Sequence, residues 1–252
     1  MTAFSLKGRV ALITGSSKGL GFAMAMGMAR AGARVALNYY NDEAAAARAY
    51  EAVREVGPEA VIVRADATDE EQIQGMIDEI AGEIGPVDIL VPNATCEQPL
   101  KPIEQYDWAW CQTMLDFFVK SPFLLTRACA PHMKKQGFGR VINIGSEVFA
   151  RGTPNFTAYV AAKGGQNGLH RSLASELAPH GITVNMLSPG WIPVERHESD
   201  PQEMKDEYFA TIPAGRWGVP DDVAGAAVFL ASDEASFITG QNIHINGGFT
   251  VA

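Results

Sequence analysis

Short apolar runs alternate with longer helical patterns along almost the whole chain, and this alternation limits the fold more than any other feature. The predicted strands are apolar throughout rather than at every second position, which is typical of parallel strands buried on both faces. We predict strands at residues 9–14, 33–38, 60–65, 87–92, 139–145, 182–188 and 241–246. Helices are predicted between them, at residues 19–31, 43–56, 69–84, 104–134, 156–178 and 220–231.

A chain that repeats this strand–helix unit is expected to form a doubly wound, seven-stranded parallel sheet with helices on both faces. Ligands of such sheets bind at the carboxyl ends of the strands. No linker, repeat or low-complexity segment divides the sequence, so residues 1–252 are predicted to form one α/β domain. The longest stretch without a periodic pattern is residues 189–213, the lid segment, and its length and polarity predict a lid over the ligand crevice.

The composition argues against several classes of partner. Lys and Arg number 20 against 29 Asp and Glu, and the net charge of −9 disfavours nucleic acid or an anionic membrane surface as a main partner. No apolar run approaches the ~20 residues of a membrane helix, so we expect a soluble protein. The three cysteines, Cys96, Cys111 and Cys129, lack ligand spacing, which favours reduced thiols in a cytoplasmic protein. The five histidines show no HxxxH or HExxH spacing, and no metal is predicted.

The segment TGSSKGLG, residues 14–21, follows the first predicted strand and opens the first predicted helix. Gly15, Gly19 and Gly21 leave room for a tight turn and for the close approach of a pyrophosphate group. The helix that follows supplies free backbone N–H groups and the positive end of its dipole. Glycines also serve ordinary turns, but their position between a strand and a helix favours a nucleotide-binding loop.

The end of the second predicted strand reads NYYN, residues 38–41, where a site for NAD usually carries a carboxylate that holds the ribose 2′-hydroxyl. No carboxylate appears before Asp42, and Lys18 lies in the glycine-rich loop nearby. A 2′-phosphate would therefore meet a cation and no repulsion. We predict NADP(H) as the cofactor, with NAD(H) as the alternative.

Tyr159 and Lys163 stand four positions apart in AYVAAKGG, residues 158–165, and share one face of a predicted helix. They are either a proton-transfer pair or two polar surface side chains with small neighbours. A free tyrosine has a pKa near ~10, but a nearby ammonium and the charge of an oxidised nicotinamide stabilise the phenolate and lower that pKa. Such a tyrosine can give a proton to a carbonyl oxygen while hydride reaches the carbon. Ser146, at the end of GRVINIGS, is placed to hold the same oxygen.

The chain resembles the short-chain dehydrogenase/reductase family, of the compact, single-domain type, from about Leu6 to Gly248. The markers are TGSSKGLG, ADATD (65–69), PNA (92–94), Ser146, YVAAK, SPG (188–190) and the ending ASDEASFITGQNIHINGG. This resemblance implies a Rossmann-like fold and an NAD(P)(H)-dependent oxidoreductase that reduces a carbonyl to a secondary alcohol, or catalyses the reverse. The ending is similar to that of 3-oxoacyl-[acyl-carrier-protein] reductases.

The same resemblance assigns roles to single residues. It implies that Ser146 orients the substrate, that Tyr159 is the general acid and base, and that Lys163 binds the nicotinamide ribose and lowers the tyrosine pKa. Residues 66–67 would meet the adenine, 93–94 the adenosine side and 189–192 the nicotinamide. The candidate cofactor contacts are Gly15, Ser17, Lys18, Gly19, Leu20, Gly21, Asn38, Tyr39, Asp66, Ala67, Asn93, Ala94, Tyr159, Lys163, Pro189, Gly190 and Ile192.

Four residues depart from the family pattern. Pro92 and Thr95 replace an Asn and a Gly of the usual NNAG, and Thr95 narrows the space beside the cofactor. We align Phe118 with an asparagine that in the family holds a water between the lysine and solvent, so this relay is either rebuilt or absent. Val194 stands where a threonine often contacts the nicotinamide carboxamide or a phosphate. Phe118 and Thr95 motivate the alternative of a non-catalytic NADP-binding sensor or scaffold, which the intact Ser146, Tyr159 and Lys163 oppose.

The substrate is less constrained. Carrier-protein reductases of this family bind an acidic partner through basic residues, and we align those positions with Gly137 and His180, which leaves Lys134 and Lys135 as local cations. A protein with a net negative charge and few basic residues at these positions should bind an acidic carrier protein poorly. We therefore favour a small soluble carbonyl or alcohol substrate, while 3-oxoacyl thioesters stay open. The long predicted helices 104–134 and 156–178 hold more apolar residues than one face of a sheet requires. Members of the family bury such helices against partner subunits, so the resemblance implies a homotetramer.

Two pairs near the expected mouth of the crevice have open interpretations. Trp191 and Phe149 either line an apolar pocket or pack the lid segment. Arg196 and His197 either touch a polar substrate or belong to a solvated loop, and the sequence favours the loop.

Overall fold

Seven parallel strands form one sheet in a computed structural model that describes residues 3–251; residues 1, 2 and 252 lie outside the described residues. The strands are β1 (Val10–Ile13), β2 (Arg34–Tyr39), β3 (Ala60–Arg64), β4 (Ile89–Val91), β5 (Gly139–Ile144), β6 (Ile182–Pro189) and β7 (Asn242–Ile245). Their order is β3-β2-β1-β4-β5-β6-β7, and all neighbouring pairs are parallel. The predicted Rossmann-like sheet is confirmed, and its strand bounds differ from the prediction by at most two residues.

Helices cover both faces of this sheet. They are α1 (Gly19–Arg30), α2 (Glu43–Val56), α3 (Glu70–Glu83), α4 (Trp108–Leu115), α5 (Ser121–Gln136), α6 (Glu147–Arg151), α7 (Thr157–Leu177), α8 (Gln202–Phe209) and α9 (Pro220–Ala231). Aspartates cap three of them: Asp42 accepts a hydrogen bond from the backbone N–H of Ala45, Asp69 from that of Gln72, and Asp107 from that of Trp110. Such caps satisfy N–H groups that the helix itself leaves free.

Strand β1 shows why the strands are apolar throughout. Ala11 and Ile13 belong to the core cluster that contains residues of α1 and α9. Val10 and Leu12 point to the opposite face and belong to the cluster that contains residues of α3, α5 and α7. Both faces are therefore buried, as the continuous apolar pattern predicts.

Two predictions about helices need correction. The predicted helix 104–134 begins only at Trp108 and contains a π-helical turn, Asp116–Lys120, between α4 and α5. The lid segment is not irregular throughout, since it contains a short 3₁₀ turn, Glu195–His197, and the whole of α8. Helix α6 was also not predicted, because its five residues are too few to show a periodic pattern.

This topology brings loops far apart in sequence to one edge of the sheet. The glycine-rich loop follows β1, Thr95 lies beyond β4, Ser146 follows β5 and the lid segment begins at the end of β6. Within residues 3–251, no helix has the length and apolarity needed to cross a membrane.

Candidate active site

The three residues predicted to be catalytic converge beside the end of β5. Ser146 is the cap of α6, where its hydroxyl accepts a hydrogen bond from the backbone N–H of Val148 at 3.4 Å. Tyr159 and Lys163 lie in the first two turns of α7. The Ser146 hydroxyl is close enough to Tyr159 to form a hydrogen bond that lowers the tyrosine pKa.

Aromatic rings enclose Tyr159. Its ring meets those of Phe118 and Phe156 edge to face, with centroids 5.2 Å and 5.5 Å away. Burial raises the pKa of Tyr159 and outweighs the opposing effects of Ser146 and of the positive charge of Arg196. Lys163 and an oxidised nicotinamide together are predicted to lower this pKa, whereas the groups of the protein by themselves raise it.

Lys163 is almost fully buried at 4% exposure. Its Nζ donates to the backbone carbonyl of Ile144 at 2.6 Å and to Oε1 of Gln166 at 3.0 Å. The same Nζ lies 4.0 Å from the centroid of the Phe118 ring, within the range of a cation–π contact. Burial lowers the pKa of Lys163 to about 7, and the charge of Arg196 lowers it further in the same direction.

Gln166 is a functional candidate that the sequence reasoning missed. It is 1% exposed and bonds directly to the ammonium of Lys163. A signal existed, because a glutamine three positions after the lysine shares its helix face. That face is turned into the protein, where an unpaired amide is costly.

Glycines allow the glycine-rich loop to turn tightly and to pack closely against neighbouring parts of the chain. A Cβ at Gly15 would lie 2.8 Å from Cα of Ala94, and one at Gly21 would lie 2.4 Å from the carbonyl oxygen of Gly15. Gly15 and Gly19 also have positive φ values of 61° and 59°, a region that favours glycine. The loop therefore offers close backbone packing at the N-terminus of α1, which fits the pyrophosphate of a dinucleotide.

Asn38 supports this loop from behind. The asparagine is buried, its Oδ1 accepts from the backbone N–H of Gly15 at 3.2 Å, and its Nδ2 donates to the carbonyl of Ala65 at 3.0 Å. Its side chain is thus bonded to the protein on both sides, and its role as a cofactor contact stays a prediction. Asn93 acts similarly, donating to the carbonyls of Thr14 and Gly15.

Charged groups gather at the end of β2. Lys18 pairs with Asp42 at 3.4 Å. The first carboxylate after the NYYN segment therefore lies beside this cation. Arg64, which is paired with Tyr39 in the register of β2 and β3, donates from Nε to the carbonyl of Tyr40 at 3.0 Å. Arg64 was missed by the sequence analysis because it lies one strand away in sequence.

The other predicted contacts line the same edge of the sheet. Ser17 and Leu20 flank the glycine-rich loop, Tyr39 ends β2, residues 66–67 follow β3, Ala94 follows β4 and residues 189–192 end β6. Val194 lies against the loop, with a side-chain atom 3.6 Å from where a Cβ of Gly19 would be. Thr95 accepts a hydrogen bond from Gln98 at 2.6 Å.

The lid segment contributes a cation to the mouth of the crevice. Arg196 is exposed, and its Nη1 donates to Oε1 of Gln98 at 3.4 Å across the crevice. Its Nε donates to Nε2 of His197 at 3.0 Å, and burial together with this neighbouring charge lowers the pKa of His197 to about 4. Cys96, two residues before Gln98, packs in the same apolar cluster as Tyr159, and burial raises its pKa to about 11. The charge of Arg196 is near enough to the candidate catalytic residues to act on the pKa of both Tyr159 and Lys163 in the lowering direction.

A buried carboxylate ties the lid segment to the sheet. Glu147, 2% exposed, accepts hydrogen bonds from the hydroxyl of Tyr208 at 2.8 Å and from Nδ2 of Asn246 at 2.9 Å. Arg151 also donates to it, at 3.0 Å. The Tyr208 hydroxyl in turn accepts from the backbone N–H of Trp191 at 2.8 Å. No sequence pattern indicates this connection, since its members are far apart in the chain.

The aromatic residues of the lid segment pack on one another. The Trp191 ring lies 5.4 Å from that of Tyr208 and 6.0 Å from that of Trp217. Trp191 therefore packs the lid segment, whereas Phe149 is 41% exposed and lies against Gly164 of α7.

Comparison with known proteins agrees with this geometry. Residues 15–250 match the family described as enoyl-(acyl carrier protein) reductase. The chain is 37% identical over 240 residues to a 3-oxoacyl-[acyl-carrier-protein] reductase of Staphylococcus aureus, covering 94% of this chain and 96% of that protein. It is 36% identical over 255 residues to a gluconate 5-dehydrogenase of Gluconobacter oxydans, covering 99% and 97%. A structure of a gluconate 5-dehydrogenase from Burkholderia cenocepacia, in complex with NADP and tartrate, superposes with a TM-score of 0.92 at 35% identity, covering 99% and 98%.

Proposed function

The chain belongs to the short-chain dehydrogenase/reductase family, and we propose that Ser146, Tyr159 and Lys163 are its catalytic residues. It is an NAD(P)-dependent oxidoreductase that interconverts a carbonyl group and an alcohol. The observation that carries the assignment of residues is the convergence of a serine hydroxyl, a phenol and a buried ammonium at the end of β5.

Each side chain has a chemical task in this proposal. A bound nicotinamide supplies or accepts the hydride at the carbon. Ser146 donates a hydrogen bond to the substrate oxygen and orients it toward Tyr159. Tyr159 gives its proton to that oxygen in reduction and takes it back in oxidation. Lys163 stabilises the phenolate that Tyr159 becomes and holds the ribose that carries the nicotinamide.

Replacement of Tyr159 by Phe tests the assignment. The phenylalanine keeps the packing against Phe118 and Phe156 but has no proton to transfer, so we expect kcat to fall by about 10³-fold or more. Binding of the dinucleotide, measured by quenching of tryptophan fluorescence, should stay within a few-fold of wild type. Normal turnover by Tyr159→Phe would refute the role of Tyr159. The alternative of a non-catalytic sensor has no support, since the relatives named above are reductases and dehydrogenases.

We propose NADP(H) as the cofactor. The glycine-rich loop fits a pyrophosphate, and Arg64 brings a positive charge to the end of β2, where a 2′-phosphate would lie. Lys18 lies there too but is paired with Asp42, whose pKa is lowered chiefly by the backbone N–H of Ala45 and further by the charges of Lys18 and Arg48. The Burkholderia relative, which has NADP bound, supports the same choice.

Arg64→Ala tests the choice of cofactor. If Arg64 helps to bind a 2′-phosphate, the variant should raise KM for NADPH by about 5- to 20-fold and leave KM for NADH nearly unchanged. Arg30→Ala, at the exposed end of α1, is the matched control. Equal losses with both dinucleotides would show that Arg64 only braces the backbone of Tyr40.

Two substrate classes follow from the relatives, namely 3-oxoacyl thioesters on a carrier protein and small hydroxy acids such as gluconate. We favour the hydroxy acid. Arg196 presents a guanidinium to the mouth of the crevice, and a carboxylate is its natural partner. In the region aligned with carrier docking, Lys134 is paired with Glu176 at 4.0 Å, which reduces the positive charge available to an acidic carrier.

A screen of cofactor oxidation and reduction decides between these classes. Sugar acids and their oxo forms, neutral polyols of equal length and 3-oxoacyl thioesters are compared at one concentration. The proposal expects kcat/KM to be highest for an acid, with the neutral polyol at least about tenfold lower. Preference for the thioester would favour the carrier-protein class instead. A homotetramer, a cytoplasmic location and the lid role of residues 189–213 stay predictions.

A further inference from the structure

The neighbours of the Lys163 ammonium leave no room for a further hydrogen-bonding group on the side where Phe118 lies. Two of its protons go to the carbonyl of Ile144 and to Gln166. The ring of Phe118, 4% exposed and only 4.0 Å away, covers one further side of the ammonium. An aromatic ring has no lone pair that could accept a hydrogen bond from water as an amide oxygen does. A proton that reaches Lys163 must therefore travel on another side.

Helix α7 turns polar groups toward the sheet just below Lys163. Gln166 and His170, three and seven positions after the lysine, are each 1% exposed. His170 binds the carbonyl of Asn167 through Nδ1 at 2.9 Å, while its buried Nε2 has no partner within residues 3–251. Apolar residues would be expected on a helix face that packs on a sheet.

Strand β5 presents an unpaired amide to this face of α7. Asn143 is 1% exposed, and among the described residues neither its Nδ2 nor its Oδ1 has a hydrogen-bond partner. Val141, two residues earlier on the same side of the strand, packs with residues of α5 and α7. Asn143 is paired in register with Met186, whose sulfur lies 4.0 Å from Nδ2 of Asn167 on α7.

Two unpaired atoms on one buried amide have a simple physical explanation. Buried polar groups nearly always have partners, and internal water is the usual one where the protein offers none. Asn143 precedes Ile144, whose carbonyl holds Lys163, so a water bound to this amide would lie in the layer between β5 and α7 that Lys163 and Gln166 also face.

We propose that Gln166 is a positioning residue that holds the ammonium of Lys163, and that the proton path to Lys163 runs inward through water bound by Asn143. Each carbonyl reduction takes one proton from Tyr159, and one proton from solvent must return to the phenolate through Lys163. The inference rests on the proposed function, because it takes Lys163 as catalytic. It goes beyond that function because it places the proton path between α7 and β5. The family's path runs through a water held by an asparagine at position 118.

The first test is a pH profile of kcat for variants of Gln166. Gln166→Leu removes the acceptor that favours the charged lysine, so kcat should fall by about 10- to 100-fold and its alkaline limb should move to lower pH. Gln166→Glu keeps an acceptor and adds a negative charge, so the limb should move to higher pH. The other groups that influence Lys163, namely Arg196 and Cys96, are unchanged in both variants.

The second test is rescue. In the Gln166→Leu background, Phe118→Asn offers Lys163 an amide from the opposite side and should restore at least about tenfold of the lost kcat. Phe118→Leu, which is apolar and similar in packing, should restore nothing. Circular dichroism melting curves verify that each variant is folded. A wild-type kcat and pH profile in Gln166→Leu would overturn the role of Gln166. So would a double variant whose loss of kcat is the product of the losses caused by Gln166→Leu and Phe118→Asn separately.

The third test separates a water site from a mere defect of packing at Asn143. Asn143→Leu keeps the volume and removes the unpaired amide. The proposal expects kcat to fall by about tenfold, with a larger solvent deuterium isotope effect than in wild type. A rise in thermal stability with unchanged kcat and isotope effect would overturn the path through Asn143. If Tyr159→Phe abolishes turnover while the Gln166 and Asn143 variants keep the wild-type kcat, this inference fails and the proposed function stands.

Discussion

The residues around Tyr159 and Lys163 are enclosed by protein, whereas the lid segment opposite them is mostly exposed. Lys163 is fixed by a backbone carbonyl, an amide and an aromatic ring, all buried. The lid segment is attached mainly through Tyr208 and the aromatic cluster with Trp191, above a cavity of about 300 Å³.

This difference separates two requirements of one reaction. Proton transfer needs a donor whose position and pKa are set in advance, which burial provides. Substrate and cofactor must enter and leave, which an exposed segment with few attachments permits. We therefore expect changes on the enclosed side to act on kcat and on stability, and changes in the lid segment to act on KM.

Lys163→Met gives the largest expected effect and tests the enclosed side. Turnover should fall by about 10³-fold, while stability at pH 7 should rise by roughly 1–3 kcal/mol, because the folded protein then no longer buries an ionisable amine. The pKa of Lys163 is about 7 in the folded protein against 10.5 as its ordinary value. Urea unfolding of both proteins between pH 6 and 10 provides the measurement.

The sign of the pH dependence follows from these values. Between pH 7 and 10.5 the unfolded state binds more protons at Lys163 than the folded state, so wild-type stability rises with pH in that window. The advantage of Lys163→Met should be largest at or below pH 7 and shrink toward pH 10.5. Lys120→Met, at an exposed lysine, should show no such trend. An advantage that does not change with pH would mean that Lys163 stays charged in the fold.

Tyr208→Phe tests the attachment between the two regions and should have an intermediate effect. The variant removes the hydroxyl that joins Glu147 to the backbone of Trp191, and leaves that N–H without its acceptor. We expect a loss of about 1–3 kcal/mol in stability. KM for the dinucleotide should rise by about tenfold with kcat changed less than threefold, because residues 189–192 lose their anchor.

Tyr50→Phe on α2 serves as the control for loss of a hydroxyl, and steady-state kinetics with a melting curve measure both variants. Glu147→Gln keeps a partner for Tyr208 and should cost less than Tyr208→Phe. If Tyr208→Phe lowered kcat and left KM unchanged, the lid segment would belong to the catalytic machinery, and the contrast between the two regions would fail.

The sequence was a good guide where function depends on local spacing. Tyr159 and Lys163 share a helix face because they are four residues apart, and Gly15 and Gly19 show the positive φ values that a tight loop requires. The strands were predictable because burial on both faces makes them continuously apolar. These features need no knowledge of what lies across the sheet.

The remaining features depend on tertiary contacts. Arg64 reaches the end of β2 only through the register of two strands, and Arg196 meets Gln98 from a loop 98 residues away. Helix α8 escaped prediction because a helix that buries almost nothing shows no apolar stripe. The burial that raises the pKa of Tyr159 was not foreseen, because the sequence reveals the neighbouring charge but not the depth of burial.

Arg196→Ala gives the smallest expected effect and tests the lid segment at its tip. The side chain is exposed and bonds only weakly to Gln98, so its loss should not destabilise the fold measurably. KM for an acidic substrate should rise by about 5- to 10-fold, and KM for a neutral polyol should stay the same. Wild-type KM for the acid should rise with ionic strength, and this dependence should weaken in the variant, because salt screens an exposed charge pair. Arg196→Lys should lie between the two, since an ammonium attracts the carboxylate without the paired hydrogen bonds of a guanidinium. Equal changes in KM for the acid and the polyol would mean that Arg196 shapes the lid segment without recognising charge, and specificity would then have to come from the enclosed side.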